Sequence, residues 1–228
     1  MNKKLPNFVA LLGMTLLFIS ATIDLNNLFN YANQSKPNYI NKDNTADGNQ
    51  IDDKIATLGR VLFYDKKLSA NNTIACASCH KQEKAFGDDA TQSVGLNGSL
   101  TGRHSMRLIN SRFSDENKFF WDERAASLED QTTKPIQDHV EMGFSGTEGD
   151  PDFNDLITKL SAVDYYQELF KFAFGDETIT ERKMQLALAQ FIRSIQSFDS
   201  KFDVGLVQVN NPNNDFGSTV NLNRIFWS

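Results

Sequence analysis

A five-residue run, Cys-Ala-Ser-Cys-His at positions 76–80, constrains this chain more than any other part of it. Two thiols separated by two residues and followed at once by an imidazole form the attachment pattern of a c-type haem, in which the thiols add to porphyrin vinyl groups and the imidazole takes an axial place on iron. Helical geometry explains the spacing. Residues three and four apart share a face, so Cys76, Cys79 and His80 can meet one edge and one side of a flat macrocycle. Cys-x-x-Cys alone has other uses. A structural zinc site needs four Cys or His ligands, and only His104 and His139 remain, at no finger spacing. A thioredoxin-like pair belongs after a strand in a βαβ unit, and no such pattern surrounds this one. A disulfide across two residues leaves His80 unexplained.

Composition narrows the partners. The chain has 228 residues, 40% apolar and 23% charged, which suits one globular domain with tails. Its 18 Phe suit a helical core around a large flat cofactor, as they would any aromatic core. A net charge of −6 without a basic cluster argues against nucleic acid. An acidic surface can receive a basic electron-carrier protein, and it also serves solubility.

Residues 1–21 read as an export signal: Lys3 and Lys4, an apolar run from Phe8 to Ile19, then Ser20 and Ala21. The run is short for a membrane span. An uncleaved anchor extended through Ile23 and Leu25 is the alternative. Export to the periplasm agrees with the haem reading, because c-type attachment takes place outside the cytoplasmic membrane.

Residues 22–48 are rich in Asn and read as a flexible tether. The folded body is expected over 49–204. Asn49 is the expected N-cap of an amphipathic helix over 50–64 that carries Ile51, Ile55, Leu58 and Leu62. The Gly-rich, polar stretch 84–103 reads as a long loop round the cofactor. Phe119, Phe120 and Trp121 form an aromatic knot. Ser127 with Asp130 resembles a capping box for a short helix limited by Pro135.

Further on, Phe153, Leu156, Ile157 and Leu160 form one helical stripe. Tyr166, Leu169, Phe170 and Ala173 form a second, closed by Gly175. A third, capped by Thr178 with Glu181, carries Met184, Leu188, Phe191, Ile195 and Phe198. No alternating strand appears, so the expected fold is all-α, a cytochrome c-like helical haem domain with long loops around the cofactor. The pattern dissolves after Asp203, and 205–228 reads as a linker. The terminal Ile225, Phe226 and Trp227 suggest that more chain would follow.

Five ordered segments together resemble the amino-terminal half of the bacterial di-haem cytochrome c peroxidases, the family that includes the MauG-like enzymes. They are LGRVLFYDKKLS at 58–69, CASCHKQEKAFGD at 76–88, FFWDERAASLEDQ at 119–131, PIQDHVEMG at 135–143 and FIRSIQSFDSKFD at 191–203. The resemblance implies one covalent haem c held by Cys76 and Cys79, with His80 as proximal iron ligand. It implies Trp121 as an aromatic electron relay between haems, and Gln131 and Glu141 as the distal amide and carboxylate. It also implies reduction of hydrogen peroxide to water with electrons from a small reduced cytochrome c or a cupredoxin, and it admits a homodimer.

Splitting peroxide calls for a group that takes a proton from one oxygen and returns it to the departing one. An apolar pocket beside Met142 and Phe144 would raise the Glu141 pKa toward neutrality for that task. Gln131 would orient the peroxide without titrating.

Three departures from the family pattern carry consequences. Leu96 stands where many members have a His that ligates the oxidised iron, which implies an open distal side. His104 stands where peroxidases often have an Asn that helps bind calcium between two domains, which argues against calcium and makes His104 a candidate substitute ligand. The second haem domain is not in this sequence, so the chain reads as a truncated peroxidase, a fragment or a standalone module. The rival readings are a single-haem electron carrier, with Met106 or Met142 as sixth ligand, and a fragment without catalysis.

Overall fold

The structure is a computed structural model and describes residues 27–209; residues 1–21, expected as an export signal, and the residues after 209 lie outside them. Seven α-helices occur among the described residues: α1 (Asp53–Tyr64), α2 (Cys76–Cys79), α3 (Leu128–Thr132), α4 (Phe153–Ser161), α5 (Asp164–Phe174), α6 (Glu181–Arg193) and α7 (Lys201–Val209). No strand is present among them. Isolated bridges Lys81 to Gly87, Val94 to Leu100 and Phe119 to Ala125 close three loop turns between α2 and α3. None of the described helices is long and apolar enough to cross a membrane.

The core is a crossing of α1 on α6. Helix α1 buries Ala56, Leu58, Gly59, Leu62 and Phe63, a stripe of helical period. Gly59 permits the closest approach, since a Cβ there would lie 2.0 Å from the Ala187 backbone oxygen and 2.9 Å from the Phe191 Cβ. Helix α5 packs on the other side of α1 through Tyr166, Leu169 and Phe170. It ends at Gly175, whose φ of 85° is the left-handed conformation that favours glycine at a helix terminus.

Several expectations need correction. Helix α1 is capped by Asp52, whose carboxylate accepts the N–H groups of Lys54 and Ile55. Asn49 instead turns inward, donating to Glu129 and accepting from Gln190. An Asp three residues nearer the first turn reaches the open N–H groups, which frees Asn49 for the interior.

Helix α6 is likewise capped by Thr180 rather than Thr178. It stops at Arg193, so Ile195 and Phe198 lie beyond its end. There Asn110 takes over the backbone, donating to the Ser197 oxygen and accepting the Ser197 N–H.

The described part of the Asn-rich stretch has no helix or strand, yet it lies against the body. Tyr31 is buried, its N–H and that of Ala32 donate to Asp53, and Asn44 bonds to the backbone of Arg112 and Ser111. Polar composition suggested freedom; side-chain amides instead pair with open loop backbone. Residues 205–209, expected as linker, belong to α7.

Candidate functional site: a cleft behind the Cys-Ala-Ser-Cys-His turn

Residues 76–79 form a single helical turn, as the spacing requires. The Ser78 hydroxyl accepts the Ala75 N–H at its start (3.0 Å), and the His80 N–H donates to the Cys76 oxygen at its end (2.9 Å). The chain then reverses through Ala85 and Phe86, both at positive φ. This brings the Phe86 carbonyl to 3.0 Å from His80 Nδ1; Ser105 Oγ lies 3.2 Å from the same nitrogen and donates to the Cys79 oxygen at 3.0 Å. A carbonyl can only accept, so Nδ1 carries the proton and Nε2 keeps the lone pair that a metal requires.

Cys76, Cys79 and His80 line an inner cavity together with Phe63, Ile74, Leu108, Met142, Leu188 and Ile192. Gln131 on α3 and Glu141 on the loop before α4 line the same cavity. An outer chamber of about 510 Å³ continues from it, sharing Cys79, His80, Thr101, Leu108, Gln131, Pro135 and Glu141 as walls. The outer walls also include His104, Met106, Arg107 and Trp121.

Trp121 is 59% exposed, and its Nε1 donates to the His104 backbone oxygen. His104 itself is engaged through Nδ1 with the Ala90 oxygen at 2.7 Å. His139 lies outside the cleft, paired with Asp150. Leu96 is buried, its side chain filling the space beside Gly143.

The electrostatics follow from burial. The Cys76 thiol is pushed up to about 12 by burial, and Cys79 is raised for the same reason. Both are therefore protonated at neutral pH, unlike the low-pKa thiolates of disulfide exchange or zinc ligation. Burial likewise lowers the His80 pKa, favouring the neutral imidazole that a metal needs.

Glu141 is pushed up to about 7, chiefly by burial and further by Asp138, with Arg124 opposing. Among the described residues its carboxylate has no hydrogen-bond or ion-pair partner. An unpaired, half-neutral carboxyl facing a cavity can take up or release a proton near neutral pH.

These features fit a covalently held haem: two protonated thiols and a neutral imidazole on one turn, opening on a largely apolar cavity with a wider mouth. Among the described residues no group of three or more His, Cys, Asp or Glu is arranged to hold a bare metal ion. Two parts of the site had no sequence signal. The Phe86 carbonyl is backbone, identical in every residue type, and Ser105 gains its place only because the 101–108 segment folds back over α2.

Comparisons with known proteins place the chain in a family. Residues 53–210 match the family described as di-haem cytochrome c peroxidase. The chain is 34% identical over 148 residues to the methylamine utilization protein MauG of Methylophilus methylotrophus, a match covering 65% of this chain and 42% of that protein. It is 31% identical over 150 residues to the cytochrome c551 peroxidase of Nitrosomonas europaea, covering 65% and 42% respectively. The chain thus spans about two fifths of these relatives. Among solved structures, a MauG-like protein associated with microbial copper homeostasis superposes with a TM-score of 0.68 and 32% identity, over 78% of this chain and 51% of that one. The family implies c-type haem, and its helical, cytochrome c-like domain is the fold described above. This chain belongs to the di-haem cytochrome c peroxidase family.

Proposed function

We propose that this chain is a haem-bearing peroxidase domain of an exported, periplasmic protein, reducing hydrogen peroxide to water with electrons from a small reduced carrier such as cytochrome c or a cupredoxin. One observation carries the reading: Gln131 and Glu141, far from the Cys-Ala-Ser-Cys-His turn in sequence, share its inner cavity. Cys76 and Cys79 would hold a haem c by thioether bonds and His80 would bind its iron through Nε2. A haem so held would supply the redox chemistry, two electrons for cleavage of the O–O bond.

The protein's own residues handle the protons. Glu141, poised near pH 7, takes a proton from one peroxide oxygen and returns it to the other, which leaves as water; solvent provides the balance of two protons. The Gln131 amide hydrogen-bonds peroxide and fixes its orientation without changing charge. Trp121, at the exposed end of the cleft, is the proposed relay for incoming electrons. The export reading rests on Lys3, Lys4 and the apolar run after them.

The test is expression of the full chain in a host with haem-attachment machinery. Haem should stay with the protein through acid–organic extraction, and should be lost in a Cys76→Ala/Cys79→Ala variant. Glu141→Ala should keep the haem and slow the reaction with peroxide about 10²- to 10⁴-fold, the usual weight of a general acid–base group. An unaltered rate would remove Glu141 from the mechanism.

A second reading has one observation in its favour: Met142 is buried and lines the inner cavity, where its thioether could serve as the sixth ligand of an electron carrier. A low-spin spectrum unresponsive to peroxide would select that reading.

A further inference from the structure

Helix α3, which presents Gln131, has five residues, too few to be stable alone because nucleation costs more than one turn returns. Something outside it must hold it. Behind the helix, Glu129 and Arg193 form a bidentate ion pair at 2.6 and 3.0 Å, each about 1% exposed. Two residues at 100° each put Glu129 and Gln131 on opposite faces of the turn. The pair therefore grips the side away from the cavity.

The grip is closed on all sides. Asn49 donates to Glu129 at 2.6 Å, and Arg193 also donates from Nε to the Asn44 side chain and from Nη2 to the Asn44 backbone oxygen. At the far end of α3, Thr133 donates to Glu181 of α6. Desolvation raises the Glu129 pKa, but the hydrogen bonds from Arg193 and Asn49 outweigh it and hold the carboxylate ionised. A desolvated ion pair of this kind is roughly neutral for stability against a packed apolar pair of similar volume, so thermodynamic stability does not account for it.

We propose that the Glu129–Arg193 pair is a positioning device: its two parallel hydrogen bonds set the rotation and height of α3 against α6 and thereby aim the Gln131 amide into the cavity. The inference rests on the peroxide-site reading above. Neither residue touches the cavity, so both act through Gln131.

The test uses the haem-loaded full chain. Gln131→Ala sets the effect of losing the amide. Glu129→Leu/Arg193→Met replaces the pair by apolar side chains. It should keep the wild-type urea midpoint and slow the peroxide reaction at least tenfold, toward the Gln131→Ala rate. The same variant should weaken fluoride binding to the haem, read by absorption, to the degree that Gln131→Ala does. Adding Gln131→Ala to the double variant should cost nothing further, the signature of residues acting as one unit. Arg193→Lys, which keeps the charge and loses the fork, should show the same slowing should the apolar pair fail to fold.

Wild-type rate and fluoride affinity in the double variant would overturn the positioning role alone, as would losses that simply multiply with Gln131→Ala. A wild-type holoprotein inert to peroxide, or a Gln131→Ala protein with unchanged rate and fluoride affinity, would overturn the underlying site reading and this inference with it.

Discussion

The Nδ1 of His80 lies 3.0 Å from the backbone oxygen of Phe86, and that oxygen is delivered by two consecutive residues in left-handed backbone, Ala85 at φ 56° and Phe86 at φ 55°. The reversal is held by the Phe86 N–H donating to the Lys81 oxygen (2.9 Å) and by the bridge from Lys81 to Gly87. A left-handed conformation costs an L-residue about 1–2 kcal/mol, so strain is stored beside the imidazole.

That strain can be released at Ala85. Glycine adopts positive φ freely but costs more unfolded-chain entropy, so Ala85→Gly should be more stable by about 0.5–1 kcal/mol. Ala85→Val, β-branched at positive φ, should be less stable and bind haem in lower yield. Urea denaturation midpoints of the haem-loaded proteins decide it. A destabilised Ala85→Gly would mean that the Ala methyl matters more than the turn.

Glu141 should make stability fall as pH rises. Its folded pKa is raised from 4.5 to about 7, so the folded state binds more protons than the unfolded one between those values. The penalty begins near pH 4.5 and is complete above pH 7. At about 1.4 kcal/mol per unit it reaches on the order of 3 kcal/mol. Glu141→Gln should therefore match wild type at pH 4 and exceed it at pH 8, while reacting far more slowly with peroxide. Equal urea midpoints for the two proteins at pH 8 would contradict the burial cost.

Asp65 receives hydrogen bonds from two adjacent tyrosines, Tyr165 at 2.5 Å and Tyr166 at 2.8 Å, both on the same oxygen. Burial raises its pKa, but these bonds and the Lys67 N–H more than offset it and hold the carboxylate below its usual range. The stabilisation is present above pH 4 and fades as pH falls through the lowered folded value. Tyr166→Phe should cost about 1.5–3 kcal/mol at pH 7, the usual range for a hydrogen bond to a charged group, and less at pH 2. A pH-independent cost would assign the effect to packing.

Gly59 should tolerate no side chain. A methyl there would sit 2.0 Å from the Ala187 oxygen, which cannot rotate away, so α1 and α6 would have to separate. Gly59→Ala should lose about 3 kcal/mol or more, at or above the usual upper range for overpacking, despite alanine's better helix propensity. A thermal midpoint equal to wild type would show that the crossing is looser than it looks.

Much of the helical frame was legible in the residues. The stripes of α1, α4, α5 and α6 repeat at helical spacing, and a 3.6-residue period needs no partner to be visible. Gly175 was legible as a terminus for the same local reason. Caps were misplaced by a few residues at Asn49 and Thr178, because several polar residues in a row can each reach an open N–H and tertiary contacts choose among them.

The site divides along the same line. Cys76, Cys79 and His80 lie within one turn, so local geometry alone brings them together, and the chemistry of two thiols and an imidazole pointed to a haem. Gln131 and Glu141 carry no such signal singly. What the sequence determined by itself was the helical class and the attachment turn, both products of short-range periodicity. Only the tertiary structure decided that Gln131 and Glu141 face that turn across a cavity, that Phe86 presents its carbonyl to His80, and that Glu129 meets Arg193 behind α3. The first and last of these pairings join residues distant along the chain, and distance in sequence carries no physical force until packing of α1 against α6 has closed the space between them; His80 and Phe86 are close in sequence, but their contact depends on a left-handed reversal at Ala85 and Phe86 that no residue pattern announces.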